Sequence, residues 1–307
     1  MGMYHASFEE TSLMQSLCPP PRIVAGAFAI MGLAVVLSGC SSIIGSATAG
    51  LADSLAGAIS NQNDPETVRQ GAPAYLLLID GLIADDPHSP ALLSSGARLY
   101  STYATAFVDD PHRQKLLAAK AREYGWQAMC AARSPLCGLW ERPFEEFEAA
   151  VKRVDRDEID LLYGCAAAWA TWVQANRDDW IAVADKARVD EMMQRVLALD
   201  EGYERGGAHL YLGVLATLLP EALGGQPEKG REHFERAIEI SKGQNLMAKV
   251  LMAREYARLV FDRELHDRLC HEVIDFDTVV DGLTLSNTLA REEAERLLAD
   301  SDDYFGE

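Results

Sequence analysis

From Glu66 to Ala299, nearly every segment repeats its apolar residues at three- and four-residue spacing, and none sustains the alternation of a half-buried strand. That pattern confines the chain to an all-α fold. The spacing predicts helices over residues 66–84, 91–108, 113–132, 144–151, 156–176, 180–199, 206–219, 229–240, 246–261, 264–273 and 287–299, punctuated by glycines, prolines and paired aspartates. Leu99, Tyr103 and Ala106 trace one buried stripe, and Val250, Ala253 and Ala257 another. With 49% of residues hydrophobic, the chain can bury a substantial core and is not a disordered tether.

The helices also repeat. Tetratricopeptide (TPR) units place a small residue at position 8, large apolar residues at 4, 11 and 24, small residues at 20 and 27, and often proline at 32. Leu212 and Gly213 match positions 7 and 8, and Gly230, Phe234 and Ala237 match 20, 24 and 27. The interval between Gly213 and Gly230 exceeds the motif, which assigns an insertion to residues 220–227, containing Glu221, Gly224 and Gly225. Pro87 takes position 32 of one unit, and Ala97 and Tyr100 positions 8 and 11 of the next. His266, Cys270 and Val273 take 20, 24 and 27 of the last. The expected fold is a TPR-like helical solenoid over residues 61–307, with insertions gathered on one face, the usual binding face of such arrays.

Ahead of this domain, an uncharged apolar run over residues 23–37 ends in Leu37-Ser38-Gly39-Cys40. The run is too short for a stable bilayer-spanning helix, and its small-residue border ending in cysteine reads as a lipoprotein cleavage site. Residues 1–39 are then a signal peptide, Cys40 the acylated first mature residue, and residues 40–60 a lipidated tether. Ser41 favours sorting to the outer membrane. Glu9 and Glu10 are foreign to an export signal, which leaves Met14 as a candidate start. The formal charge of −19 would repel nucleic acid and anionic membrane faces, so attachment must come from the lipid.

Of the remaining cysteines, Cys130 and Cys137 flank the Ser134-Pro135 turn, and in an oxidising compartment they are expected to pair. Cys165 and Cys270 fall at core positions, where buried thiols and a mutual bond are both open.

No enzyme constellation emerges: G-x-S-x-G, H-E-x-x-H, a GK[ST] phosphate loop and CxxC are all missing. His266 and His271 point to different faces of one helix, and Glu145, Glu146 and Glu148 read as a solvated face rather than a catalytic pair. No metal or cofactor is expected. Amphipathic rings suited to a ligand cleft are better represented, by Tyr75, Tyr100, Tyr103, Phe107, Trp169, Trp172, His209 and Tyr211, with Arg254, Asn176 and Asn287 as polar contacts. Each ring also suits ordinary helical core.

Several blocks behind the cleavage site carry a family resemblance: Asn61-Gln62-Asn63-Asp64, then Pro73-Ala74-Tyr75-Leu76, Tyr100-Ser101-Thr102-Tyr103, Leu219-Pro220-Glu221-Ala222-Leu223-Gly224-Gly225, His233-Phe234-Glu235-Arg236-Ala237 and Asn287-Thr288-Leu289-Ala290. In this order they resemble the TPR lipoproteins associated with TRAP transporters, the T component. The resemblance implies a non-catalytic periplasmic solenoid, trimeric, that docks a TRAP solute-binding protein and has an apolar channel for a small ligand. The competing readings are a TPR lipoprotein scaffold for outer-membrane assembly or secretion, and a periplasmic cell-wall enzyme.

Overall fold

A computed structural model describes residues 57–306, so the cleavage site, Cys40 and the candidate start at Met14 lie outside the described residues. Those described are all-α, without a strand. The first three helices begin on a proline preceded by a capping side chain. Asp64 accepts from the Glu66 amide ahead of α1 (Pro65–Asp85), Ser89 from the Leu92 amide ahead of α2 (Pro90–Phe107), and Asp110 from the His112 and Arg113 amides ahead of α3 (Pro111–Ala131). Proline has no amide hydrogen to lose at that position, and the caps satisfy the amides that follow. There follow α4 (Phe144–Val151), α5 (Ile159–Ala175), α6 (Trp180–Ala184), α7 (Lys186–Leu199), α8 (Gly207–Ala216), α9 (Pro227–Ile240), α10 (Leu246–Leu251), α11 (Arg263–Ile274), α12 (Thr284–Ala299) and α13 (Ser301–Phe305).

Three expected helices differ in detail. The one over 180–199 breaks at Asp185, whose half-buried carboxylate turns inward to accept the Trp169 indole N–H at 3.2 Å. The one over 206–219 stops at Ala216 because Thr217 Oγ1 takes the Gly213 and Val214 carbonyls and the Gln226 amide takes that of Ala216. The one over 246–261 continues from α10 as a π-helical turn, Met252–Ala257.

Three apolar clusters follow one another along the chain. The first joins Leu76, Leu93, Tyr100 and Phe107; the second Trp126, Phe147, Trp169 and Met193; the third Phe234, Val250, Tyr256 and Val273. This serial order, with each helix pair packed on its neighbours, fits a solenoid. The repeat register fits too, since a Cβ at Gly213 would stand 2.6 Å from Phe234 Cε1 and one at Gly230 2.6 Å from Thr217 Cγ2. Cys130 and Cys137 form a disulfide, whereas Cys165 and Cys270 are separate buried thiols in different clusters.

Two hydrogen bonds draw the ends of the array together. Asn61 Nδ2 donates to Asp281 Oδ1 at 3.1 Å, and the Gly282 amide donates to Asn61 Oδ1 at 2.7 Å. Arg205 Nη2 donates to the Asp281 carbonyl beside them.

Candidate functional site

Helices α10 and α12 run parallel, one repeat apart. The Leu246 amide donates to Asn287 Oδ1 at 3.0 Å, Arg254 Nη1 meets Glu293 Oε1 at 3.1 Å, and Arg258 Nη2 donates to the Leu297 carbonyl at 3.2 Å. Met247, Leu251 and Arg254 lie on one face of this α10 segment, and Leu289, Glu292, Glu293 and Arg296 on one face of α12, by three- and four-residue spacing. These faces line a cavity of about 680 Å³ together with Leu210, Tyr211, Val214 and Leu215 of α8, Tyr163, Ala170 and Gln174 of α5, the end of α2, and Arg69 of α1. The volume falls in the range of small-molecule sites.

The lining is polarised. Met247, Leu251 and Leu289 come from the N-terminal parts of their segments and Arg254, Glu293 and Arg296 from positions further on, so the α10–α12 wall passes from apolar to charged along its length. At the charged end Arg254 Nε bonds Glu255 at 2.7 Å, while Glu293, itself buried, also pairs with Arg296. Arg69, which also lines the cavity, donates to the Phe107 carbonyl at 3.2 Å, pairs with Glu66 and lies over the Phe107 ring. The rings of Tyr163 and Tyr211 meet edge to face, 5.9 Å apart. Burial pushes both phenols up, so they stay protonated.

Of the residues singled out in the sequence, Tyr211 and Arg254 line this cavity. Tyr100, Tyr103, Phe107 and Trp169 are core: Tyr100 donates to Asp80, Tyr103 packs on Phe107 with centroids 5.9 Å apart, and Trp169 packs on Trp126 at 5.0 Å. Tyr75 is half-buried on α1 and Asn176 caps α5 through the Trp172 carbonyl; neither lines the cavity. Trp172 lies under the Arg122 guanidinium. Asn287 is fully buried, its amide donating to the Gln244 and Thr278 carbonyls while its oxygen holds Leu246. It ties α12 to α10 from inside. Arg69, Tyr163, Glu293 and Arg296 were not foreseen. No local signal marked Glu293, because the pairing of Arg254 with it at an offset of 39 residues, against 41 for Leu246 with Asn287, is set by how the two helices pack.

His209 is buried between α8 and α9, its Nδ1 2.8 Å from His233 Nδ1 and its Nε2 3.4 Å from Glu201. If His209 donates from Nε2 to Glu201, it accepts at Nδ1 and His233 donates there. Burial first, then the His209 and Lys229 charges, hold the His233 imidazole down to about 4; burial lowers His209 against the pull of Glu201. His233 and Gln226 border a smaller groove of about 520 Å³ between α7 and α9.

Glu221, Gly224 and Gly225 belong to the inserted loop, which does not line the main cavity. Glu221–Leu223 makes one 3₁₀ turn, Gly224 adopts φ of +89°, and Gly225 runs so close to the Leu219 carbonyl that no side chain fits. Leu223 is left 58% exposed. Among the described residues no three His, Cys, Asp or Glu side chains group to hold a metal, and no helix is long and apolar enough to cross a membrane.

Comparison with curated proteins gives no match. A family comparison does, and it spans most of the sequence: residues 61–305 match the TRAP transporter T-component, and this chain belongs to that family.

Proposed function

We propose that this chain is the lipid-anchored periplasmic subunit of a TRAP-type uptake system, that it docks the solute-binding protein, and that it holds or relays a small amphipathic ligand. Association with a TRAP transporter follows from the family. The observation that carries the finer reading is the cavity of about 680 Å³, with an apolar wall and one charged end, built inside a fold of that family. Binding and relay need no bond-making group, and the subunit is read as non-catalytic. In this reading residues 1–39 are removed, Cys40 carries the lipid, residues 40–60 tether the domain and Ser41 directs it to the outer membrane.

The inserted loop at 220–227 is the proposed docking surface, being mostly exposed and closed onto Ala216 by the Gln226 amide. The trimer that the family resemblance implies has an apolar face to use on α1, where Leu77, Leu78 and Leu82 are 74%, 55% and 42% exposed. Calorimetry with the solute-binding protein encoded alongside tests the docking. Replacing residues 221–226 with a short Gly-Ser link is expected to weaken association at least tenfold with little change in Tm. An unchanged Kd removes the loop from the interface, and absence of binding by the wild type overturns the docking role.

A further inference from the structure

The charged end of the main cavity offers both signs at once. Arg254 and Arg296 pair there with Glu293, and Glu292, Asp109 and Arg69 also line the cavity. Arg254 bonds through Nε and Nη1, leaving Nη2 without a partner among the described residues. Asp109 and Glu292, both exposed, likewise make no ion pair among the described residues, whereas the buried Glu293 is held by two arginines.

A ligand carrying only an anion could reach Arg254 but would share the cavity with three carboxylates, and displacing Glu293 would leave that buried carboxylate on Arg296 alone. One carrying only a cation would meet three guanidinium groups. A group bearing both charges can place its anion on Arg254 Nη2 and its ammonium on Glu292 or Asp109 without breaking the Arg254–Glu293 pair. Like-charge contact penalises either single charge, so the same residues select against simpler ions. The rest of the lining, Leu210, Val214, Met247, Leu251 and Leu289, suits an aliphatic body.

Resting on the reading of this cavity as a ligand site, we propose that it takes a zwitterionic amphipath: an aliphatic chain ending in one anionic and one ammonium group. A free long-chain amino acid and a lysophospholipid with an ethanolamine headgroup share this chemistry.

Calorimetry on the full chain distinguishes them with four probes: octanoate, octylamine, 2-aminooctanoate and lysophosphatidylethanolamine below its micelle concentration. At least one zwitterion is expected to bind tenfold or more tighter than octanoate and octylamine; tighter 2-aminooctanoate assigns the free ligand, and tighter lysolipid the lipid. Glu293→Gln should shift preference toward octanoate. Because that residue is buried, the exposed Glu292→Gln serves as the second variant and should move preference the same way with an unchanged circular dichroism melt. Octanoate or octylamine binding as tightly as both zwitterions overturns the charge selection while leaving a ligand cavity. Failure of all four probes, with solute-binding-protein association intact, overturns the zwitterion site and not the docking role.

Discussion

Gly213 and Phe234 are in such close contact that a methyl group at Gly213 would stand 2.6 Å from the Phe234 ring. Phe234 is fully buried and its ring occupies the space left by the missing side chain, so α8 and α9 meet nearly backbone to ring. Gly213→Ala is expected to destabilise the domain by about 1–3 kcal/mol through overpacking, despite the higher helix propensity of alanine. Phe234→Ala should cost about 3–5 kcal/mol through the cavity it leaves. Urea denaturation checks both. A Gly213→Ala protein as stable as wild type would show that the ring can move aside.

Asp80 joins the first three helices by accepting from Tyr100 at 2.8 Å, Tyr124 at 2.7 Å and Lys120 at 2.5 Å. Burial pushes its carboxyl up, but hydrogen bonds from Lys120, Tyr124 and Tyr100 outweigh that and hold it below its ordinary value. Because the folded value is depressed, the contribution is fully present above the unfolded value near pH 4 and is lost as pH falls below it. Asp80→Asn should cost about 1–2 kcal/mol at pH 7, after allowance for partial exposure, and flatten the acid limb of the stability curve. Chemical denaturation from pH 7 to 3 measures this.

The His209–His233 contact predicts a second pH dependence. Both imidazoles are held below the ordinary histidine value, His233 at about 4, so the unfolded chain takes up protons first as pH falls. Their contribution is complete above about pH 6.5 and is lost progressively toward pH 4. His233→Gln, which keeps a donor for His209, should reduce the slope of Tm against pH in that window. An unchanged slope would assign the dependence elsewhere.

Wild-type protein is expected to incorporate a labelled fatty acid in the cell, and Cys40→Ala to lose the label and accumulate as a longer precursor. Mass measurement of both products checks the reading. Unlabelled wild type would remove the lipid anchor.

Helix positions were legible in the residues because their determinants are local: the Asp64, Ser89 and Asp110 caps, the prolines behind them and the 3.6-residue period act within a few residues of chain. The pairing of α8 with α9 was also readable, since Gly213, Gly230 and Phe234 lie close in sequence and one repeat rule relates them. Asp185 escaped that logic. Its break depends on the indole of Trp169, which arrives from another helix. The cavity was the least legible part. Tyr211 and Arg254 could be named as polar or aromatic residues, but Tyr100, Tyr103, Phe107 and Trp169 share their chemistry and point into core instead. Which face of a helix turns to the cavity depends on how successive pairs stack, and Arg69, Arg254 and Glu293 come from distant helices. Local propensity carries no term for that convergence, because it arises from packing between helices.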